Sequence, residues 1–179
     1  MKNRTIQVIR EYAESIAIAL VLALIIRAFI VQAFKIPTGS MEPTLIVGDK
    51  IFVNKFIYRF KPIERGDIIV FKSPEDKKKD FIKRLIGKPQ ETLQIIDGKI
   101  LINGSPINSG IIGKNYYYNR GDFGQEGQVI TIPQDCYYAL GDNSASSRDS
   151  RYWGFVPKKS IIGKAFIIYW PPQRIRLIK

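Results

Sequence analysis

Thr92-Leu93-Gln94-Ile95-Ile96-Asp97-Gly98-Lys99-Ile100-Leu101-Ile102 is the stretch that decides the fold class. Two short apolar runs flank an Asp-Gly pair, which supplies the positive φ of a tight hairpin turn. Asn103-Gly104 repeats that chemistry at once. Outward from this hairpin the pattern persists. Lys50 to Phe56, Asp67 to Phe71, Asp80 to Ile86, Val129 to Ile132, Cys136 to Leu140 and Gly163 to Trp170 all read as strands between turn signals. Ser105 to Gln128 is rich in Gly, Asn and Tyr and reads as a looped, ribbon-like insertion, set within residues 96–132. The expected body, residues 35–179, is all-β.

The amino-terminal end departs from this pattern. Ile16 to Phe34 is apolar except for Arg27 and Gln32. As a helix it would extend about 28 Å, near the ~30 Å of a bilayer core. The expected arrangement is a cytoplasmic segment at 1–11, a transmembrane helix at 12–34, and a domain beyond the membrane. Lys2, Arg4 and Arg10 keep the front inside. Arg27 within the span would have to snorkel or face protein. Two other readings stay open. One is a cleavable signal peptide ending near Val31-Gln32-Ala33, the other a buried soluble helix.

Composition narrows the chemistry. The 179 residues include 28 Lys+Arg against 16 Asp+Glu, one cysteine and no histidine. Lone Cys136 excludes an internal disulfide framework, and Cys/His zinc sites lack ligands, so no metal or cofactor is expected. The excess of positive charge suits anionic phospholipid headgroups. Nucleic acid ranks below that partner, since no binding module is visible and Lys77-Lys78-Lys79 is bracketed by Asp76 and Asp80.

Pro37-Thr38-Gly39-Ser40-Met41-Glu42-Pro43-Thr44-Leu45 displays a serine between glycine and prolines. Without imidazole, a nucleophilic serine needs lysine, a carboxylate or an amino terminus as its base. In Phe81-Ile82-Lys83-Arg84-Leu85-Ile86-Gly87, strand alternation puts Lys83 on one face with Phe81 and Leu85. A desolvated lysine there would lose its proton more easily. The plain alternative is a lysine snorkelling from an edge strand. Gly141 to Gly154 clusters hydroxyls, carboxylates and arginines, and reads equally as a polar turn or as the support of an active amine.

Together these segments resemble the type I signal peptidases, membrane-bound Ser/Lys endopeptidases that remove signal peptides from exported proteins. Four stretches carry the resemblance in order: Pro37–Leu45, Arg65–Phe71, Phe81–Gly87 and Gly141–Pro157. It implies a catalytic domain of the signal-peptidase type, with Ser40 as nucleophile and Lys83 as general base. The oxyanion hole would use the Ser40 main-chain N–H and the Thr38 hydroxyl. Ser147 would orient the amine, Asp142 would pair with Arg84, and Asp149 with Arg151. Phe34, Ile36, Pro37, Leu45, Val70, Phe81 and Ile82 could line shallow pockets for small residues of an A-x-A type substrate; their plain reading is core. Thr38 stands where many members carry serine, and Ser144 where many carry arginine, which puts a peripheral ion pair in doubt. The implied substrates are signal peptides of exported preproteins, met at the outer face of a plasma membrane. Two rival readings are a self-cleaving Ser/Lys repressor protease and an inactive membrane-anchored β-rich binding module.

Overall fold

The computed structural model describes residues 2–25 and 30–178. Helix α1 (Lys2–Ile25) is followed by strands β1 (Val31–Lys35), β2 (Lys50–Asn54), β3 (Ile68–Lys72), β4 (Asp80–Gly87), β5 (Thr92–Ile96), β6 (Lys99–Ile102) and β7 (Ser105–Pro106). After α2 (Gly110–Lys114) come β8 (Ile130–Thr131), β9 (Cys136–Leu140), α3 (Ser150–Trp153), β10 (Val156–Pro157), β11 (Ile161–Trp170) and β12 (Arg176–Leu177). The larger sheet runs β1-β2-β11-β3-β4-β9-β10, with β12 beside β11; the smaller runs β7-β6-β5-β8.

The chain is mainly β, but the body at 35–179 is not all-β, since α2 and α3 lie within it, and the transmembrane helix at 12–34 does not hold. Among the described residues no helix is long and apolar enough to cross a membrane. The reason lies in where α1 sits. It starts at Lys2 and spends its first half on Lys2, Arg4, Arg10, Glu11 and Glu14, with Arg10 and Glu14 paired at 2.8 Å. The apolar remainder from Ser15 to Ile25 extends only ~16 Å, about half a bilayer core. Val31 to Phe34, expected to finish the span, instead form β1 and pair antiparallel with β2, Phe34 opposite Ile51. The same pairing places the Val31-Gln32-Ala33 pattern inside the sheet. Arg27 lies outside the described residues. The buried soluble helix also fails, because the side chains of α1 from Arg10 to Leu24 stand exposed.

The hairpin that decided the fold class forms as its turn chemistry requires. Asp97 and Gly98 take φ of 49° and 73°, and Ile96 pairs with Lys99. A Cβ on Gly98 would lie 2.2 Å from the Tyr116 ring, so that position needs glycine twice over.

Alternation along β3 and β4 sorts side chains between two cores. Ile68 and Val70 join Ile36, Met41, Leu45, Ile51 and Val53 on one side. Ile69, Phe71 and Leu85 join Tyr137, Ala139 and Val156 on the other. Each fully buried aliphatic or aromatic side chain contributes about 1.5–3 kcal/mol. That burial holds β4 at its register, with Lys83 opposite Ile69 and Arg84 opposite Ile68. A third core fills the space under the smaller sheet, around Leu93, Ile95, Ile100 and Tyr138.

Candidate active site

Ser40 sits in a one-turn 3-10 helix, Gly39–Met41. Hydrophobic burial orients that turn: Met41 and Leu45 are driven into the core, which leaves Ser40 facing outward and half-buried. The neck of the loop is closed by Ile36 N–H donating to Asp49 O at 2.8 Å and Gly48 N–H donating to Ile36 O at 2.9 Å. Asp49 is fully buried; its carboxylate accepts from Ile46 N–H and from the Arg174 guanidinium.

Lys83 comes from the middle of β4 and is 5% exposed. Its Nζ lies 2.7 Å from Ser40 Oγ, within hydrogen-bond reach. Phe81, one pleat away, places its ring 5.8 Å from the same nitrogen. Loss of water pulls the amine down from 10.5 to about 8. The carboxylates of Asp149 and Asp142 oppose that pull, and the Arg151 cation adds to it, but burial dominates. The snorkelling alternative is thereby excluded.

The polar stretch from Gly141 to Gly154 packs beneath this pair. Arg84 forks onto Asp142, with both contacts at 2.7 Å, and also donates to Gly66 O. Arg151 forks onto fully buried Asp149, with both contacts at 2.8 Å. Asp149 also accepts from Gly141 N–H and caps α3. Removing one member of such a buried pair strands a charge at a cost of about 3–5 kcal/mol. Ser144 does not leave a gap: its hydroxyl accepts from Arg151 and from Tyr118 N–H.

Ser147 differs from the sequence expectation. Its hydroxyl is buried yet makes no hydrogen bond among the described residues, to Lys83 or otherwise. What it crowds is Gly141. A Cβ there would lie 2.2 Å from Ser147 Oγ and 2.4 Å from Ser40 O. Gly141 therefore lets the polar loop approach the serine turn closely enough for Asn143 to grip it. Asn143 N–H donates to Ser40 O and its Nδ2 to Gly39 O, each at 3.1 Å.

Beside the pair lies a groove of about 500 Å³. Phe34, Ile36, Pro37, Phe81 and Ile82 line it, as the resemblance suggested, together with Thr38, which is extended and exposed. Leu45 and Val70 do not line it; both are fully buried in the core below, where their plain reading was correct. The groove has two bare strand edges. Among the described residues β1 pairs only with β2, and β9 covers β4 only from Arg84 onward, so Asp80–Lys83 are unpaired on that side. An extended peptide could add there by main-chain hydrogen bonds.

Three contributors escaped the sequence reading: Asn143, Met41 in the groove wall, and Thr44, whose hydroxyl donates to Asp142 at 2.6 Å. All three lie inside the quoted motifs, but side-chain reach across the fold has no local signature. Chemically, a desolvated amine beside a displayed hydroxyl can take its proton without histidine.

Comparison with known proteins identifies the family. Residues 9–170 match the family described as signal peptidase, peptidase S26. A signal peptidase I of Leptolyngbya laminosa is 43% identical, over 92% of this chain and 81% of its own length. Signal peptidase I P of Bacillus subtilis subsp. natto is 35% identical, over 94% and 93%. A crystal structure of a signal peptidase I from Enterococcus faecalis superposes with a TM-score of 0.50 at 34% identity, covering 58% of this chain and 97% of that one.

Proposed function

Because the chain belongs to the signal peptidase family, peptidase S26, and is a peptide-bond hydrolase of that kind, we propose that it cuts signal peptides from exported preproteins with a Ser40/Lys83 dyad. The observation that carries this reading is the 2.7 Å approach of a dry Lys83 Nζ to Ser40 Oγ. The preprotein lies extended in the groove, between the free edges of β1 and β4. Small side chains before the scissile bond enter the pockets around Ile36, Pro37 and Ile82. Pockets of this kind select by excluding bulk, with each methylene worth only ~1–3 kcal/mol.

Ser40 Oγ attacks the scissile carbonyl as neutral Lys83 takes its proton. The Ser40 N–H and the Thr38 hydroxyl receive the developing oxyanion, each such donor lowering the barrier by about 3–4 kcal/mol. The Lys83 ammonium then protonates the departing amine, and a water deprotonated by the same amine releases the acyl group. Asp142 and Asp149, locked to Arg84 and Arg151, hold the loops and perform no chemistry.

Incubation with a preprotein tests the dyad. Ser40→Ala and Lys83→Arg should both abolish cleavage, since arginine keeps charge and reach but cannot act as a base. Full cleavage by Lys83→Arg would sink the proposal. Such substrates place the work at the outer face of a bacterial plasma membrane, where a chain of net charge +12 would rest on anionic headgroups. Phosphatidylglycerol vesicles should sediment the protein at low salt and release it at high salt; equal sedimentation with neutral vesicles would contradict this.

A further inference from the structure

Two loops meet over one end of the groove. The β3–β4 turn, residues 73–79, is folded on itself: Ser73 N–H donates to Lys79 O at 2.9 Å, and Ser73 Oγ accepts from Glu75 and Asp76 N–H at 3.2 Å each. The polar loop brings Ser146 and Arg148 to the opposite side. Arg148 forks across the gap onto Glu75, its Nε 2.9 and 3.2 Å from the two carboxylate oxygens and a terminal nitrogen also in contact. The guanidinium carbon stands 5.4 Å from the Tyr152 ring centroid. This pair is open to solvent, Arg148 61% and Glu75 36% exposed in their side chains.

Lys79, Asp80 and Arg148 all line the groove, but Asp80 is occupied by Lys72 at 2.7 Å. Lys79 is in turn paired with Asp76 at 3.4 Å, and the exposed cation that the rim presents to a peptide is the Arg148 guanidinium, held by Glu75 across the gap. Asp80, the first residue of β4 and next to Lys79, lies three residues before Lys83, or ~10 Å along the strand. Along β4, Phe81 and Ile82 of the apolar lining fall between this rim and Lys83, where the small residues preceding the bond belong. The rim thus meets the peptide farther upstream.

We propose that Arg148 is a specificity-determining residue that reads an acidic side chain about four residues before the scissile bond, Glu75 being the resident carboxylate that the substrate displaces. This rests on the peptidase reading above. The fork on Glu75 shows that the guanidinium can offer a carboxylate two parallel donors at this spot. Exposed ion pairs are weak, so the exchange costs little and the Glu75–Arg148 bridge can open to admit a peptide.

The full chain is assayed on three peptides with the same A-x-A cleavage site. They differ only in carrying Glu, Gln or Lys at one position, moved through the fourth to sixth before the bond. For the wild type, kcat/KM should fall in the order Glu, Gln, Lys, by about five-fold per step at the best position. Arg148→Gln should flatten that order and Arg148→Glu invert it, while Glu75→Gln should steepen it by removing the competitor. A merely structural Arg148 would scale all three peptides alike, and thermal melts of each variant identify any that fail to fold. An order unchanged in Arg148→Glu, or no discrimination by the wild type at any position, overturns the inference. Ser40-dependent cleavage of the Gln peptide separately reports the peptidase reading: if wild type leaves it intact, both fall; if it cuts all three equally, only this inference does.

Discussion

Replacing Phe81 by alanine should move the acid limb of the pH–rate profile towards alkali. Lys83 must be neutral to accept a proton, so kcat/KM should rise with pH and level off above about 8. Lowering an amine from 10.5 to about 8 corresponds to about 3 kcal/mol. At pH 7 the drop leaves roughly 9% of the amine neutral, against roughly 0.03% at the ordinary value, an advantage of about 300-fold. Burial is the main cause, and the half-buried Phe81 ring, 5.8 Å from Nζ, is part of the wall that keeps water out. The ring also attracts the ammonium through its face, which works the other way. At this distance, near the ~6 Å limit, that attraction is worth under ~1 kcal/mol and is outweighed by the readmitted water. Restoring about a third of the lost hydration would raise the amine to about 9 and lower the rate at pH 7 by about ten-fold. Phe81 also lines the groove, so the informative number is the rate at pH 7 relative to that at pH 10, in which any pH-independent loss of peptide contact cancels. A limb that stays in place, or moves towards acid, would refute the claim that dryness sets the basicity of Lys83.

Gly141→Ala should cut kcat by ~100-fold or more with little change in KM. The new Cβ, 2.4 Å from Ser40 O, must displace the serine turn by about an ångström; an activity within a few-fold of wild type would show that the turn has slack. Asp142→Asn leaves buried Arg84 without its counter-charge and should lower stability by about 3 kcal/mol, seen as a drop of roughly 10 °C in Tm. The same change removes a carboxylate that raises the Lys83 amine, so the acid limb of whatever activity remains should shift towards lower pH. An unchanged melt would mean that the pair is not the brace described here.

The mainly β character was legible because it rests on local signals, whereas the roles given to Ser40 and Lys83 came from the resemblance of four motifs, strand alternation alone leaving Lys83 free to snorkel. Asp97-Gly98 demands a hairpin whatever surrounds it, and the absence of histidine leaves few bases for a serine. Strand alternation put Lys83 between Phe81 and Leu85, and the sheet keeps it there. The amino-terminal reading failed for the complementary reason. Apolar character from Ile16 to Phe34 is what a span needs, but it is also what a helix end and a half-buried edge strand need, and pairing with β2 claimed Val31 to Phe34.

What the chain specifies by itself, then, is periodicity, turn chemistry and the inventory of reactive groups, all set by near neighbours. Tertiary structure decided the rest: the drying of one amine, the 2.7 Å approach to a hydroxyl 43 residues away, the unpaired edges beside it, and the fork of Arg148 on Glu75. Distance and dielectric between remote residues are properties of packing, and no window of sequence contains them.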